Sequence, residues 1–293
     1  MANKAANRQT NNSAAASKRP PIKFILIGAG LSLVAAVLIV ACNRSGSLEK
    51  PGPANANQST SATLARKDAY DIVGITPHDP NAFLQGLVWY DGGFYEGTGL
   101  EGRSTLRRVE YPSGKVVKSI SLAPDLFGEG VALVGDQLLQ LTWTSKRGFV
   151  YDRESFRLVR EFTYNTEGWG LTYDGTNLIL SDGSSMLTFI DPQTFKPIRK
   201  LPVIMNGHPV DQLNELEYIE GEIWSNVWQT KYILRIDPAT GKVNSYFDMT
   251  GLLQNPTGHE DVLNGIAYDP QTKRIFVSGK LWPSIYEIRV KGQ

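Results

Sequence analysis

Five short apolar runs in this chain open the same way, with a polar or aromatic residue just ahead of the first aliphatic one. The copies read Gln85-Gly86-Leu87, Glu129-Gly130-Val131, Trp169-Gly170-Leu171, Asn214-Glu215-Leu216 and Asn264-Gly265-Ile266, and their starts lie 44, 40, 45 and 50 residues apart. Apolar and β-branched runs such as Leu178-Ile179-Leu180 and Tyr232-Ile233-Leu234 have the composition of strands. Turn signals separate the runs. A first hairpin tip follows each opening at Asp91-Gly92-Gly93, Gly135-Asp136, Asp174-Gly175, Glu220-Gly221 and Asp269-Pro270. A second comes at Tyr111-Pro112-Ser113-Gly114, Tyr151-Asp152-Arg153, Ile190-Asp191-Pro192 and Ile236-Asp237-Pro238. Gly supplies the positive φ of a tight turn, and Asp the side-chain bonds to its backbone. Strand-rich units at this period predict an all-β, five-bladed β-propeller of four-stranded sheets. Residues 67–293 carry no long amphipathic helix pattern.

The fifth repeat stops after Ile285-Tyr286-Glu287-Ile288, one strand short. A spare strand, Tyr70 to Ile75, precedes the first repeat. It is expected to join the last blade and close the ring, leaving no unpaired edge there. The segment Leu252 to Glu260 is the least regular and is expected to cover one face. In a propeller the innermost strands begin near the axis, so the five opening residues should converge. The glycine after four of them permits close backbone approach. The fourth copy has Glu215 instead, and its strand is expected to sit slightly differently.

Glu129 is the sharpest chemical candidate. It lies between Gly128 and Gly130, open to a ligand, and apolar surroundings would raise its pKa and suit it to proton transfer. A structural carboxylate, binding backbone amides or a channel metal, remains the alternative. Trp143, Trp169 and Trp228 fall at equivalent places and predict the wall of a pocket for a small, partly apolar ligand, although a single Trp more often fills a core. Lys280 occupies in the fifth blade the place of Trp143 and Trp228, with partial burial expected. Asn214 and Asn264 sit at the openings, where they would bind substrate amides or satisfy backbone groups; the structural role suits Asn264. His78, His208 and His259 lack metal-ligand spacing. No Gly-x-Ser-x-Gly elbow or phosphate loop occurs, so serine hydrolysis and nucleotide chemistry are disfavoured.

The 293 residues carry a net charge of +1, which gives no reason to expect a nucleic-acid partner. The single cysteine, Cys42, lies outside the repeats, leaving the propeller without disulfides or a thiol nucleophile. Residues 1–23 are polar and basic, and Phe24 to Ala41 form an 18-residue apolar run. The plan is that of a secretory signal, and the Ile39-Val40-Ala41-Cys42 ending resembles a bacterial lipobox. An uncleaved membrane anchor reads equally well, since about 18 apolar residues just span a bilayer. Either way, the positive residues ahead of the run place the remainder outside the cytoplasm on a bacterial membrane. Residues 43–66, rich in Asn, Ser, Gly, Pro, Ala and Gln, read as a flexible tether, and 67–293 as the propeller domain.

The same residues carry a family resemblance. Phe83-Leu84-Gln85-Gly86-Leu87, Glu96-Gly97-Thr98-Gly99-Leu100, Gly102-Arg103-Ser104, Phe127-Gly128-Glu129-Gly130, Leu141-Thr142-Trp143 and Gly168-Trp169-Gly170-Leu171 are six of its blocks. Leu213 to Ile219 with Asn226 to Thr230, and Leu263 to Ala267 with Gly279 to Pro283, complete the set in order. From about residue 70 onward the chain resembles the plant and bacterial type of glutaminyl-peptide cyclotransferase. The resemblance implies a five-bladed propeller that converts an N-terminal glutamine of a peptide or protein to pyroglutamate with release of ammonia; a monomer is expected. It implies Glu129 as acid and base, with Asn214 and Lys280 as further catalytic candidates and Phe83, Gln85, Trp143, Trp169 and Trp228 as substrate contacts. It implies no cofactor and no zinc; a structural calcium in the channel is compatible with the reaction. Gly97 stands where the family usually has Ser, a departure away from the acid and base. Two other readings stay open: a propeller that binds a ligand or protein without catalysis, and a metal-dependent hydrolase or lactonase with a cation on Glu129, Asn214 and Asn264.

Overall fold

The computed structural model describes residues 64–292, and every regular element among them is a strand. The segment read as a signal or anchor and nearly all of the predicted tether lie outside the described residues. Five sheets follow one another along the chain. Blade 1 comprises Leu84–Tyr90, Gly93–Thr98, Thr105–Glu110 and Val116–Ser121. Blade 2 comprises Gly128–Val134, Gln137–Thr142, Arg147–Asp152 and Leu158–Thr163. Leu171–Tyr173, Leu178–Leu180, Met186–Ile190 and Pro197–Pro202 make blade 3, and Leu213–Ile219, Glu222–Val227, Tyr232–Ile236 and Val243–Asp248 make blade 4. Blade 5 has Leu263–Asp269, Arg274–Gly279 and Ser284–Val290. Its fourth strand is Tyr70–Pro77, which pairs antiparallel with Ser284–Val290, the closure that the missing strand predicts.

Burial follows the position of a strand in its blade. Leu263–Asp269 and Gly93–Thr98 are buried throughout, whereas the outer Val116–Ser121 alternates and Leu158–Thr163 and Pro197–Pro202 are mostly exposed. A strand covered on both faces needs a continuous apolar run, and an edge strand does not. Between blades, aromatic and aliphatic side chains interlock; at the seam of blades 1 and 5, Trp89 stacks on Phe276 with centroids 4.9 Å apart, beside buried Phe94 and Ile285.

Two features were not anticipated. Arg66–Asp68 lies parallel on Val243–Asp248 as a fifth strand of blade 4, taking in the last residue of the stretch read as a tether. Buried Asp68 holds it there, accepting from Arg235 Nη1 at 2.8 Å and Ser245 Oγ at 2.6 Å. A small hairpin, Ile204–Met205 with His208–Pro209, projects after blade 3. The irregular segment after blade 4 packs beside the Lys280 end of blade 5: Leu252 is buried in the cluster with Trp282, and the Lys280 and Asp261 backbones are bonded to Val262 and Lys280 respectively.

The openings of the central strands share one local device. The ladder slips between Leu84 and Gly86, Gly128 and Val131, Leu213 and Leu216, and Leu263 and Ile266. Gln85, Glu129, Asn214 and Asn264 all fall in these slips, and a bulge of this kind re-aims its side chains. In blade 3 the ladder begins only at Leu171, beyond Trp169. Close approach explains the glycines: a Cβ on Gly86 would lie 2.4 Å from Val131 N, and one on Gly170 would lie 2.1 Å from Asn214 O. The strand of the fourth copy shares the slip of blades 1, 2 and 5, and its Glu215 carboxylate accepts from Ile266 N–H (2.9 Å) in blade 5 and Leu87 N–H (3.3 Å) in blade 1.

Candidate active site

Glu129 is buried, 5% exposed, at the opening of the blade 2 central strand. Its Oε1 accepts a hydrogen bond from Gln85 Nε2 at 3.3 Å, and Gln85 Oε1 accepts in turn from Asn264 Nδ2. Asn264 also donates to Leu84 O at 3.0 Å, which is the structural role expected of it. Burial pushes the Glu129 carboxyl well above the usual carboxylate range; the Lys280 charge draws it down and the Glu167 charge lifts it. Lys280 is itself buried. Desolvation lowers its ammonium below the ordinary lysine value, against the opposing pull of Glu129 and Asp261. Its Nζ lies 4.9 Å from the centroid of the Phe83 ring, a cation–π contact.

Aromatic rings extend from that contact. Phe83 meets Phe127 edge to face at 6.0 Å, and Phe127 meets Trp143 at 5.6 Å. On the other side Trp169 meets Trp228 edge to face at 5.6 Å. Glu167 joins the two groups, its Oε2 accepting from Trp143 Nε1 at 2.7 Å and from Trp169 Nε1 at 2.9 Å. Contacts thus run from Lys280 through Phe83, Phe127, Trp143 and Glu167 to Trp169 and Trp228, while Glu129, bonded to Gln85, feels the Lys280 charge. Asn214 is buried next to Trp169-Gly170 through its backbone, and its Oδ1 has no hydrogen-bond partner among the described residues. A buried acceptor left unpaired is costly, and a ligand N–H would relieve it.

Glu167 and Phe127 belong to this constellation and were missed as site residues. Phe127 had a visible signal, two residues ahead of Glu129 in the same block. Glu167 had only its place two residues ahead of Trp169, and its bond to Trp143 spans 24 positions. Among the described residues no group of three or more His, Cys, Asp or Glu is clustered to hold a metal ion. No helix among them is long and apolar enough to cross a membrane.

Chemically, the site offers a buried carboxyl whose proton affinity is raised, a desolvated ammonium that acts on it electrostatically, and an aromatic mouth. The family model of glutamine cyclotransferase matches residues 47–290 of the chain. A glutaminyl-peptide cyclotransferase of Arabidopsis thaliana is 43% identical over 232 residues, which cover 77% of this chain and 72% of the relative. The crystal structure of Myxococcus xanthus glutaminyl cyclase aligns with a TM-score of 0.72 at 40% identity, covering 77% of this chain and 98% of that one.

Proposed function

The chain belongs to the glutamine cyclotransferase family, and from that premise we propose that it closes N-terminal glutamine to pyroglutamate through Glu129 as general base and then general acid. The observation that carries the assignment of roles is the buried Glu129 carboxyl, hydrogen-bonded by Gln85 and electrostatically coupled to Lys280. The substrate's neutral α-amine attacks its own side-chain amide carbon, forming the ring C–N bond. Ionised Glu129 takes a proton from the attacking nitrogen and returns it to the departing amide nitrogen, and the old C–N bond breaks to release ammonia. Both reacting groups belong to one molecule, so the enzyme's work is folding the side chain back and moving protons. Lys280 and the Asn214 amide stabilise the developing oxyanion. The α-amine of a peptide has a pKa of about 7.7–8.0, so a useful neutral fraction exists near pH 8.

The test is ammonia release from a glutaminyl dipeptide. Glu129→Gln should keep the fold and lose about 10²- to 10⁴-fold in turnover, the usual contribution of a positioned acid or base. Release by the unmodified protein should survive EDTA. Full activity in Glu129→Gln ends the assignment of Glu129, and a folded protein that releases no ammonia leaves a binding propeller.

We also propose that the N-terminal region holds the enzyme on the outer face of a bacterial membrane, supported by the basic stretch, the apolar run to Ala41 and the Cys42 that follows. Membrane fractionation of the full chain beside Cys42→Ser separates the two forms of attachment. Loss from the membrane in the variant indicates a lipidated Cys42, and retention indicates an uncleaved span. Recovery of the unmodified chain in the cytoplasm would defeat both.

A further inference from the structure

Trp143 and Trp169 come from different blades, and one carboxylate oxygen binds both. Trp143 follows the second strand of blade 2 and Trp169 precedes the first strand of blade 3. Trp143 is 39% exposed, and Phe127 is its one ring neighbour among the described residues. An indole so placed has two free side-chain torsions, and ordering it on substrate binding costs free energy that a fixed ring does not. Glu167 Oε2 accepts from the Trp143 indole at 2.7 Å and the Trp169 indole at 2.9 Å, and Trp169 is braced further by Trp228 and by the backbone at Gly183. Hydrogen bonds to an ionised acceptor are shorter and about twice as strong as neutral ones.

We propose that Glu167 is a positioning residue for the cyclisation: it fixes the indoles of Trp143 and Trp169 relative to one another through their N–H groups and so pre-forms the slot that receives the aliphatic part of the glutaminyl side chain. The inference rests on the proposed reaction. It assigns Glu167 to binding of the substrate, with proton transfer left to Glu129. A preorganised slot acts first on KM, because a loose Trp143 must be ordered in every binding event.

Two substitutions isolate the clamp. Glu167→Ala removes the acceptor. Glu167→Gln puts a neutral amide oxygen where Oε2 stands and retains an acceptor for both indoles. Each loses the same negative charge, so any influence of that charge on Glu129 is common to the two, and their difference reports the clamp. Glu167→Ala should raise KM for a glutaminyl dipeptide by about tenfold, equivalent to about 1.4 kcal/mol, with a much smaller change in kcat. Glu167→Gln should recover most of that loss. The near-UV circular dichroism of the tryptophans should weaken in Glu167→Ala and return in Glu167→Gln. Equal KM values in the two variants, or an unchanged KM in Glu167→Ala, would overturn the clamp. If the unmodified protein releases no ammonia, the failure lies with the proposed reaction, and an unaltered dichroism in Glu167→Ala would then refute the clamp separately.

Discussion

Glu129 and Lys280 each carry the mark of the other. Burial lifts the carboxyl and depresses the ammonium, and the attraction between them opposes both movements. In its proposed role as base Glu129 must be ionised, so kcat/KM should fall as pH drops through its folded-state pKa. Lys280→Met removes the cation and leaves the burial in place. The carboxyl then ionises at higher pH, and the acid limb of the kcat/KM profile moves to higher pH. The kcat/KM profile of the variant beside that of the unmodified protein checks this; an acid limb that stays put or moves down would show that Lys280 does not set the Glu129 proton affinity. At this scale the sequence was informative where a residue's neighbours in the chain define its setting. Glu129 stood out between two glycines. Glu167 did not, because what defines it is an indole from another blade.

The central strand of blade 4 differs from its four counterparts by two carboxylates on one face. Glu215 accepts from the backbone of Leu87 and Ile266, and Glu217 accepts from Tyr268 N–H at 3.0 Å. The strand thereby ties the openings of three blades together, a task that glycine at the same position elsewhere leaves to backbone contact. Burial raises both carboxyls, Glu217 to about 8. The unfolded chain releases that proton near 4.5, so between about pH 4.5 and 8 the folded state binds more protons and stability falls as pH rises. Glu217→Gln keeps an acceptor and removes the titration, so urea unfolding from pH 5 to 8 should lose part of its pH slope. The full effect of one proton is about 1.4 kcal/mol per pH unit. Glu217 borders a cavity of about 510 Å³ near Tyr90, Tyr173 and Tyr268, away from Glu129, and is only partly shielded, so the change should be smaller. An identical slope in the variant would mean that Glu217 is ionised in the fold. The alternation of apolar and polar residues could not reveal these carboxylates, since a strand buried on both faces is expected to be apolar.

Across the whole ring, closure and site share one seam. The closing strand Tyr70–Pro77 runs into His78, whose Nδ1–H donates to Trp282 O at 2.8 Å and whose Nε2 lies 3.4 Å from the buried Glu96 carboxylate. Although burial works against both charges, Glu96 raises the imidazole and His78 with Arg107 lowers the carboxyl, so the two form an ion pair. Nearby, Leu281 N–H donates to Ala82 O at 2.7 Å. The segment that ends the closing strand therefore leads to Phe83 while bonded to the turn that follows Lys280. Ring closure brings those two side chains together, although 197 positions separate them. His78, which the sequence showed only as a histidine without metal partners, works as a joint in this seam.

Periodicity settled much in advance. Five repeats, their hairpin tips and one missing strand are local properties, written in adjacent residues, and they sufficed for the blade count and the closing strand. Because every central strand starts at the axis, the repeat also located the openings where Gln85, Glu129, Trp169 and Asn214 lie. Only the tertiary structure disclosed Glu167 between two indoles, Glu215 spanning the axis, the His78–Glu96 pair and the parallel strand Arg66–Asp68 on blade 4. Each joins segments from different blades or from distant parts of the chain. Such a partnership depends on the angle and distance at which the ring sets them, and no pattern along a single strand encodes that relation.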